Sequence, residues 1–296
     1  MSTVFITGCS SGFGFIAAKK FAAKGDKVIA TMRNPNGKNK APADNLKNFA
    51  SENKKQIEIL EMDVTSNDSV KNAADYVLTK LGAPDVIINN AGQMYVGIAE
   101  AFTSEELIKQ LDVNIVGIHR VTRVFLPKMR EKGTGLFINV SSIAGRFASP
   151  FFAVYHASKW GLEGYSLALR RELASSGIDV VVVEPGPFTT ELFSQSPQPI
   201  DEENRVQSYP EVVHNTFKGM NEAFIGMFNN PEIPTDPDAV VERFLELVDI
   251  PAGLRPFRSV VGVDMGVANR NSTDEEHESP FLKVMGLEDF VKLRVS

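Results

Sequence analysis

Thr3-Val4-Phe5-Ile6-Thr7-Gly8-Cys9-Ser10-Ser11-Gly12-Phe13-Gly14 passes from a short apolar, β-branched run into a glycine-rich turn. Phe13, Ile16, Ala17 and Phe21 then recur at helical spacing, so strand, turn and helix follow in that order. Glycines at 8, 12 and 14 let the backbone turn sharply and come close to a pyrophosphate. The helix N-terminus behind them supplies unpaired N–H groups and positive potential. The spacing Gly-x-x-x-Gly-x-Gly is one residue longer than the commoner Gly-x-Gly-x-x-Gly fingerprint. An ordinary glycine turn has a similar composition. The position of this one, between first strand and first helix, marks a dinucleotide site touched by Gly8, Ser10, Ser11, Gly12, Phe13 and Gly14.

Outward from this turn the alternation continues. Val28–Thr31, Ile57–Leu60, Val86–Ile88, Leu136–Val140, Val180–Val183 and Ser259–Val263 read as further strands. Residues 35–55 are polar and predict a loop with an exposed helix. Ser66 and Asp68 open a helix that ends near Gly82, and Glu105 and Glu106 suit the start of another from about Ser104. Continuous Val/Ile runs with helices between them predict a parallel sheet covered on both faces, an α/β doubly wound, Rossmann-like fold. No linker divides the chain, so residues 1–296 read as a single domain. The proline-rich stretch 188–237 departs from the rhythm as a small substrate-lid insertion, with a helical stripe at Phe217, Met220, Phe224 and Met227. Residues 269–280 are polar and charged and predict a surface loop before a short final helix.

Composition narrows the function classes. A formal charge of −6 argues against nucleic acid or an anionic membrane surface as partner. Cys9 is the only cysteine, which excludes an internal disulfide and fits a reducing compartment. The N-terminus carries no signal-peptide pattern, and no apolar run approaches the roughly 20 residues of a membrane span. A soluble, cytoplasmic, acidic α/β protein is the resulting expectation. His119, His156, His214 and His277 show no metal-ligand spacing, so no metal is assigned.

A second motif carries chemistry. In Tyr155-His156-Ala157-Ser158-Lys159, Tyr155 and Lys159 fall four residues apart, about one turn along the same helix face. An ammonium so placed favours the ionised phenol, whose reference pKa is roughly 10. The glycine turn, Asn89-Asn90-Ala91-Gly92, Asn114, Ser141-Ser142, Tyr155/Lys159 and Pro185-Gly186 occur together in one order and spacing. In these motifs the chain resembles the short-chain dehydrogenase/reductase family over roughly residues 2–190, as a soluble, single-domain member. Its glycine turn is similar to those of hydroxysteroid and retinol dehydrogenases and of bacterial carbonyl reductases.

The resemblance implies a Rossmann fold, a nicotinamide cofactor and interconversion of alcohol and carbonyl. It makes Tyr155 the general acid in reduction and the base in oxidation. Lys159 would bind the nicotinamide ribose and lower the phenol pKa; a fall from 10 to 7 is worth roughly 4 kcal/mol. Of the two serines Ser142 is chosen, thirteen residues before Tyr155, to polarise the substrate oxygen. Asn114 would hold a water-mediated proton path to the lysine. Asp63 and Val64 would meet the adenine edge, and Asn90, Ala91 and Gly92 the adenosine ribose. Pro185, Gly186, Phe188 and Thr190 would hold the nicotinamide carboxamide. Relatives assemble through the helices equivalent to about 104–131 and 152–176, which implies a homodimer or homotetramer.

The end of the second strand decides the cofactor. Ala30-Thr31-Met32-Arg33-Asn34 lacks the carboxylate that would bind the 2′-hydroxyl of NAD, and Arg33 suits a 2′-phosphate. NADP is therefore expected, with NAD as the other possibility if Arg33 is only a solvated arginine. Phe193, Phe217, Met220, Phe224, Met227 and Phe228, with Met94 and Phe147, suit a bulky apolar carbonyl or alcohol. The same stripe also fits a helix that only packs on the core. Two other functions remain at this level: a non-catalytic sensor of NADPH, and an epimerase or dehydratase that uses the cofactor transiently.

Overall fold

The protein is described by a computed structural model covering residues 1–194, 196–197, 199, 202–291 and 293. Seven strands form one sheet: β1 (Thr3–Ile6), β2 (Lys27–Met32), β3 (Gln56–Glu61), β4 (Val86–Asn89), β5 (Gly135–Val140), β6 (Ile178–Pro185) and β7 (Arg258–Val261). Their order is β3-β2-β1-β4-β5-β6-β7, and every pairing is parallel. The doubly wound fold expected from the Val/Ile runs is therefore present. All eight residues of β6 are buried, which requires cover on both faces.

Helices supply that cover, and the two-residue period of the strands sorts their side chains between two layers. Val4, Ile6, Val28, Ala30, Leu136 and Ile138 pack with Phe21 of α1 (Gly12–Lys24), Leu46 of α2 (Lys40–Glu52) and Phe244 of α10 (Asp238–Asp249). Phe5, Ile29, Ile87 and Phe137 face the other way. They meet Val77 of α3 (Asn67–Lys80), Phe125 and Met129 of α5 (Gly117–Lys132), and Leu169 and Leu173 of α6 (Ala153–Leu173). Because strand order reverses between β1 and β4, a crevice opens beyond their carboxyl ends, where such folds take ligands.

Two local expectations need correction. The helix expected from Ser104 onward is not continuous. A capping box between Thr103 and Glu106 starts α4 (Ser104–Leu111), a π-helical turn takes Asp112–Val116, and α5 follows. The wide turn gives the Asn114 side chain its fixed place and lets Gly117 pass against Val64, where a Cβ would stand only 2.9 Å from a Val64 methyl. Residues 269–280 are not a loop either: they lie in α11 (Val267–Val284), despite Pro280. Asp264 accepts from the Ala268 N–H, while Asn271, Asp274 and Glu278 bond Arg146 and Arg171. These tertiary ties hold in helical form a stretch that lacks an apolar stripe.

After β6 the chain leaves the sheet through α7 (Glu191–Ser194), α8 (Glu202–Val206) and α9 (Glu211–Asn229), and returns where the Thr189 N–H donates to the Thr235 carbonyl at 3.0 Å. The stretch expected to be a lid is thus an excursion closed at its base. Residues 195, 198, 200 and 201 within it lie outside the described residues.

Candidate active site

The glycine turn sits at the carboxyl end of β1. Gly8 and Gly12 have φ of +72° and +53°, and a Cβ on Gly14 would stand 2.4 Å from the Gly8 carbonyl oxygen. Asn90, at the end of β4, braces the turn: its Nδ2 donates to the carbonyls of Thr7 (2.9 Å) and Gly8 (3.1 Å). In return the Thr7 hydroxyl accepts from the backbone N–H groups of Asn90 and Ala91. Ser11 caps α1 without a side-chain bond, and the first turn carries no carboxylate, so its N–H groups keep their positive potential. A cavity of about 700 Å³ opens here, with Ser10, Ser11, Gly12, Thr189 and Thr190 in its wall.

The other expected cofactor residues fall at or just past the carboxyl ends of β2, β3, β4 and β6. Arg33 follows buried Met32 and is exposed, its carbonyl fixed by the Asn39 side chain at 2.5 Å. Asp63 takes the Thr65 N–H and hydroxyl on one carboxylate oxygen. Val64 is a packing residue whose carbonyl accepts from Arg120. Gly92 lies against Asn114, and Gly186 against the Val263 backbone, where a Cβ would clash at 2.4 Å. Phe188 meets Phe13 edge to face at 5.7 Å.

Tyr155 and Lys159 project from α6 into the interior, each 6% exposed. Lys159 Nζ donates to the Val140 carbonyl at 2.8 Å and lies 5.7 Å from the centre of the Tyr155 ring. Burial pushes the phenol up to about 12, opposed by its bond to the Ser142 side chain. Burial pulls the Lys159 ammonium down to about 8, opposed by the charge of Glu163. Burial thus favours the neutral form of both groups, against the depressed phenol pKa expected of the pair.

Ser142, rather than Ser141, reaches Tyr155. Its hydroxyl accepts from the Ala144 N–H and donates to the Pro185 carbonyl at 3.3 Å, whereas Ser141 is buried under Gly145. Asn114 does not reach Lys159 in the described bonds. Its Oδ1 accepts from the Gln93 N–H, and its Nδ2 donates to the Gln93 carbonyl and the Ser158 hydroxyl. Ser158 donates in turn to the Tyr155 carbonyl at 2.7 Å. The side chain of Asn114 therefore works as a brace between the end of β4 and α6.

Tyr155 also belongs to a third apolar cluster. Met94, Val96, Ala144 and Phe152 form a cluster with Tyr155, separate from both sheet layers. Phe217, Met220 and Phe224 of α9 pack onto it, through ring pairs Phe151–Phe217 (4.9 Å) and Phe152–Phe224 (6.0 Å). No residue of α9 is fully buried. The stripe on α9 therefore packs on this third cluster and on neither sheet layer.

The glycine turn after β1, Ser142 after β5 and the Pro185–Gly186 corner of β6 all lie at the carboxyl ends of the parallel strands. The family model for short chain dehydrogenases matches residues 2–201. The chain belongs to the short-chain dehydrogenase family. It is 38% identical over 187 residues to the 3-ketodihydrosphingosine reductase of Bacteroides thetaiotaomicron, covering 63% of this chain and 64% of that one, just under two thirds of the relative. A solved short-chain dehydrogenase from Streptomyces avermitilis matches with a TM-score of 0.74 at 29% identity, over 97% of this chain and 98% of that one. An actinorhodin polyketide ketoreductase solved with NADPH matches with a TM-score of 0.71 at 26% identity, over 90% and 97%.

Within this short-chain dehydrogenase, sequence reasoning overlooked several braces. Thr7 and Gln93 have no distinguishing local pattern. Ser158 had one: three residues after Tyr155 in a helix, a serine can bond back to the main chain. His156 turns away from the crevice, as its place beside Tyr155 implied. The Ser149 N–H donates to its Nε2 at 2.9 Å, so Nδ1 carries the proton and donates to the Ala144 carbonyl at 2.7 Å. Cys9 is buried, its thiol pushed up to about 12 by burial, which removes it from redox chemistry at neutral pH.

Proposed function

We propose that this protein is an NADP(H)-dependent oxidoreductase that interconverts a carbonyl and a secondary alcohol on an apolar substrate. The observation that carries the reading is that Tyr155, bonded to Ser142 and one turn from Lys159, belongs to the apolar cluster of Met94, Val96, Ala144 and Phe152. The turn fits a dinucleotide: Gly8 and Gly14 let it close against Ala91 and Asn90, where a Cβ would clash, and the first turn of α1 offers N–H groups to a pyrophosphate.

Gly8, Ser10, Ser11, Gly12, Phe13 and Gly14 would hold the pyrophosphate, and Asn90, Ala91 and Gly92 the adjoining ribose. Asp63 and Val64 would border the adenine. Arg33, exposed and with no carboxylate at the end of β2, would pair with a 2′-phosphate. The related ketoreductase, solved with NADPH, agrees with this choice. Pro185, Gly186, Phe188 and Thr190 would line the nicotinamide end. When bound, the nicotinamide supplies or accepts the hydride at the substrate carbon.

The chain's own residues handle the proton. As the phenol Tyr155 donates to the developing alkoxide in reduction, and as the phenolate it accepts the alcohol proton in oxidation. Ser142 holds the substrate oxygen through a hydrogen bond. Lys159 is charged below about pH 8, and that charge favours phenolate. Asn114 acts through Ser158 to fix the start of α6. Residues 188–237 would form the substrate lid of one 1–296 domain, with Phe217 and Phe224 of α9 packed, partly buried, on the apolar cluster that holds Tyr155. A homo-oligomer through residues 104–131 and 152–176 fits the exposed Ile108 and Val116. No helix among the described residues is long and apolar enough to cross a membrane, in keeping with a cytoplasmic enzyme.

Purified protein with NADPH or NADH and a graded panel of ketones tests the reading, followed at the reduced-nicotinamide absorbance. Turnover with NADPH that rises with the apolar bulk of the ketone is expected. Tight NADPH binding without turnover on any ketone or alcohol would replace the enzyme with a sensor, and isomerisation without net cofactor change would make it an epimerase.

A further inference from the structure

Behind the catalytic group lies a buried ionic cluster that the proposed chemistry does not use. Glu163, one turn beyond Lys159 on α6, and Glu184, immediately before Pro185 on β6, both face Arg258 of β7. Arg258 Nε is 3.0 Å from Glu163 and 3.8 Å from Glu184, and the three side chains are almost wholly buried. Asn271 of α11 completes the cluster: its Nδ2 donates to Glu184 at 2.6 Å, and its Oδ1 accepts from Arg146 at 2.7 Å. Arg146, four residues after Ser142, also pairs with Asp274 of α11.

This cluster reaches three segments of the candidate active site at once. A Cβ on Gly145 would stand 3.0 Å from Glu163 Cγ and 3.1 Å from the Lys159 carbonyl, so the turn after Ser142 is pressed against α6. Glu184 anchors the strand end that leads into Pro185 and Gly186. Glu163 is the group whose charge favours the Lys159 ammonium. Charges this deep are seldom retained for stability, because a well-packed apolar set of the same volume often does as well. One oxygen of each carboxylate and Arg258 Nη1 are buried with no hydrogen-bond partner, so the cluster is poorly optimised as a stabilising bridge.

We propose that this cluster is an ion lock through which α11 holds the Ser142 and Pro185 segments in register with α6. Glu163 is its positioning residue and acts on the reaction through Lys159; this part rests on Tyr155 and Lys159 as the proton-handling pair. The charged and polar groups facing Glu163 and Glu184 are Lys159 on α6, Arg258 on β7, Arg146 after β5, and Asn271 with Asp274 on α11. The desolvated Glu184 carboxyl, with the Glu163 carboxylate nearby, is pushed above the usual carboxylate range.

Hydrogen–deuterium exchange on the full chain, comparing wild type with Asn271→Leu, tests the lock. Faster exchange is expected in 267–284 and, together with it, in 142–147 and 184–190. Faster exchange confined to 267–284 would overturn the lock. If Asn271→Leu does not fold, Asp274→Asn at the half-exposed rim is read by the same two outcomes. For Glu163, side-chain NMR follows the Lys159 titration, which should fall by about one pH unit in Glu163→Gln. An unmoved titration would overturn its role, whether or not any ketone is turned over. Wild type that binds NADPH but reduces nothing would remove the functional reading alone, because neither readout depends on activity.

Discussion

Gly14→Ala probes the closest approach in the crevice. The new Cβ would lie 2.4 Å from the Gly8 oxygen and 2.5 Å from Asn90 Nδ2, the first about 0.6 Å inside the 3.0 Å limit that Cβ contacts essentially never cross. Both neighbours are fixed: Gly8 by its +72° φ, Asn90 by bonds of 2.9 and 3.1 Å to Thr7 and Gly8. The strain must therefore break or stretch these two bonds, each worth about 1 kcal/mol, giving a loss of about 2 kcal/mol. For a chain of this size that lowers Tm by roughly 4–8 °C. Displacing the turn by the same energy weakens NADPH about 30-fold. Gly164→Ala on α6 is the control, since nothing lies within 4 Å of its added methyl. There helix propensity should raise stability by about 1 kcal/mol and leave the cofactor alone. Scanning calorimetry and NADPH titration calorimetry read both effects. A Gly14→Ala variant with wild-type Tm and an NADPH Kd within about twofold would refute the argument from close approach.

Further perturbations separate the roles of the neighbouring residues. Ser142→Ala should lower kcat about 100-fold or more with little change in Tm, as steady-state kinetics and thermal unfolding would show. Arg33→Asp should move preference from NADPH toward NADH, read as the ratio of kcat/KM for the two. His156 is held neutral, its folded pKa depressed below 6.5 by burial. Its contribution to stability is therefore full above pH 6.5 and is lost as pH falls through the depressed folded value. Denaturant unfolding from pH 7.5 to 5 should thus show a steeper loss for wild type than for His156→Gln.

The legible parts of this chain are those whose physics is local. Buried parallel strands need unbroken apolar runs, and Ile87, Phe137 and Val180–Val183 announced them. The turn from Gly8 to Gly14 and the four-residue step from Tyr155 to Lys159 are local geometry as well. What stayed hidden depends on partners distant in the chain. The π-helical turn at Asn114 rests on Gln93 and Ser158, and α11 stays helical through Arg146 and Arg171. The spacing of Tyr155 and Lys159 predicted a coupled pair, but the burial that favours the neutral form of each is tertiary, and sequence does not display it.

The most direct test of the account follows the hydride itself. NADPH carrying deuterium at the transferable position of the nicotinamide is incubated with an apolar ketone, and the alcohol is examined by mass spectrometry, for wild type and Tyr155→Phe. The account predicts one deuterium on the carbinol carbon with wild type and at least about a 100-fold slower appearance of product with Tyr155→Phe. Alcohol without deuterium, or a Tyr155→Phe variant as fast as wild type, would contradict it.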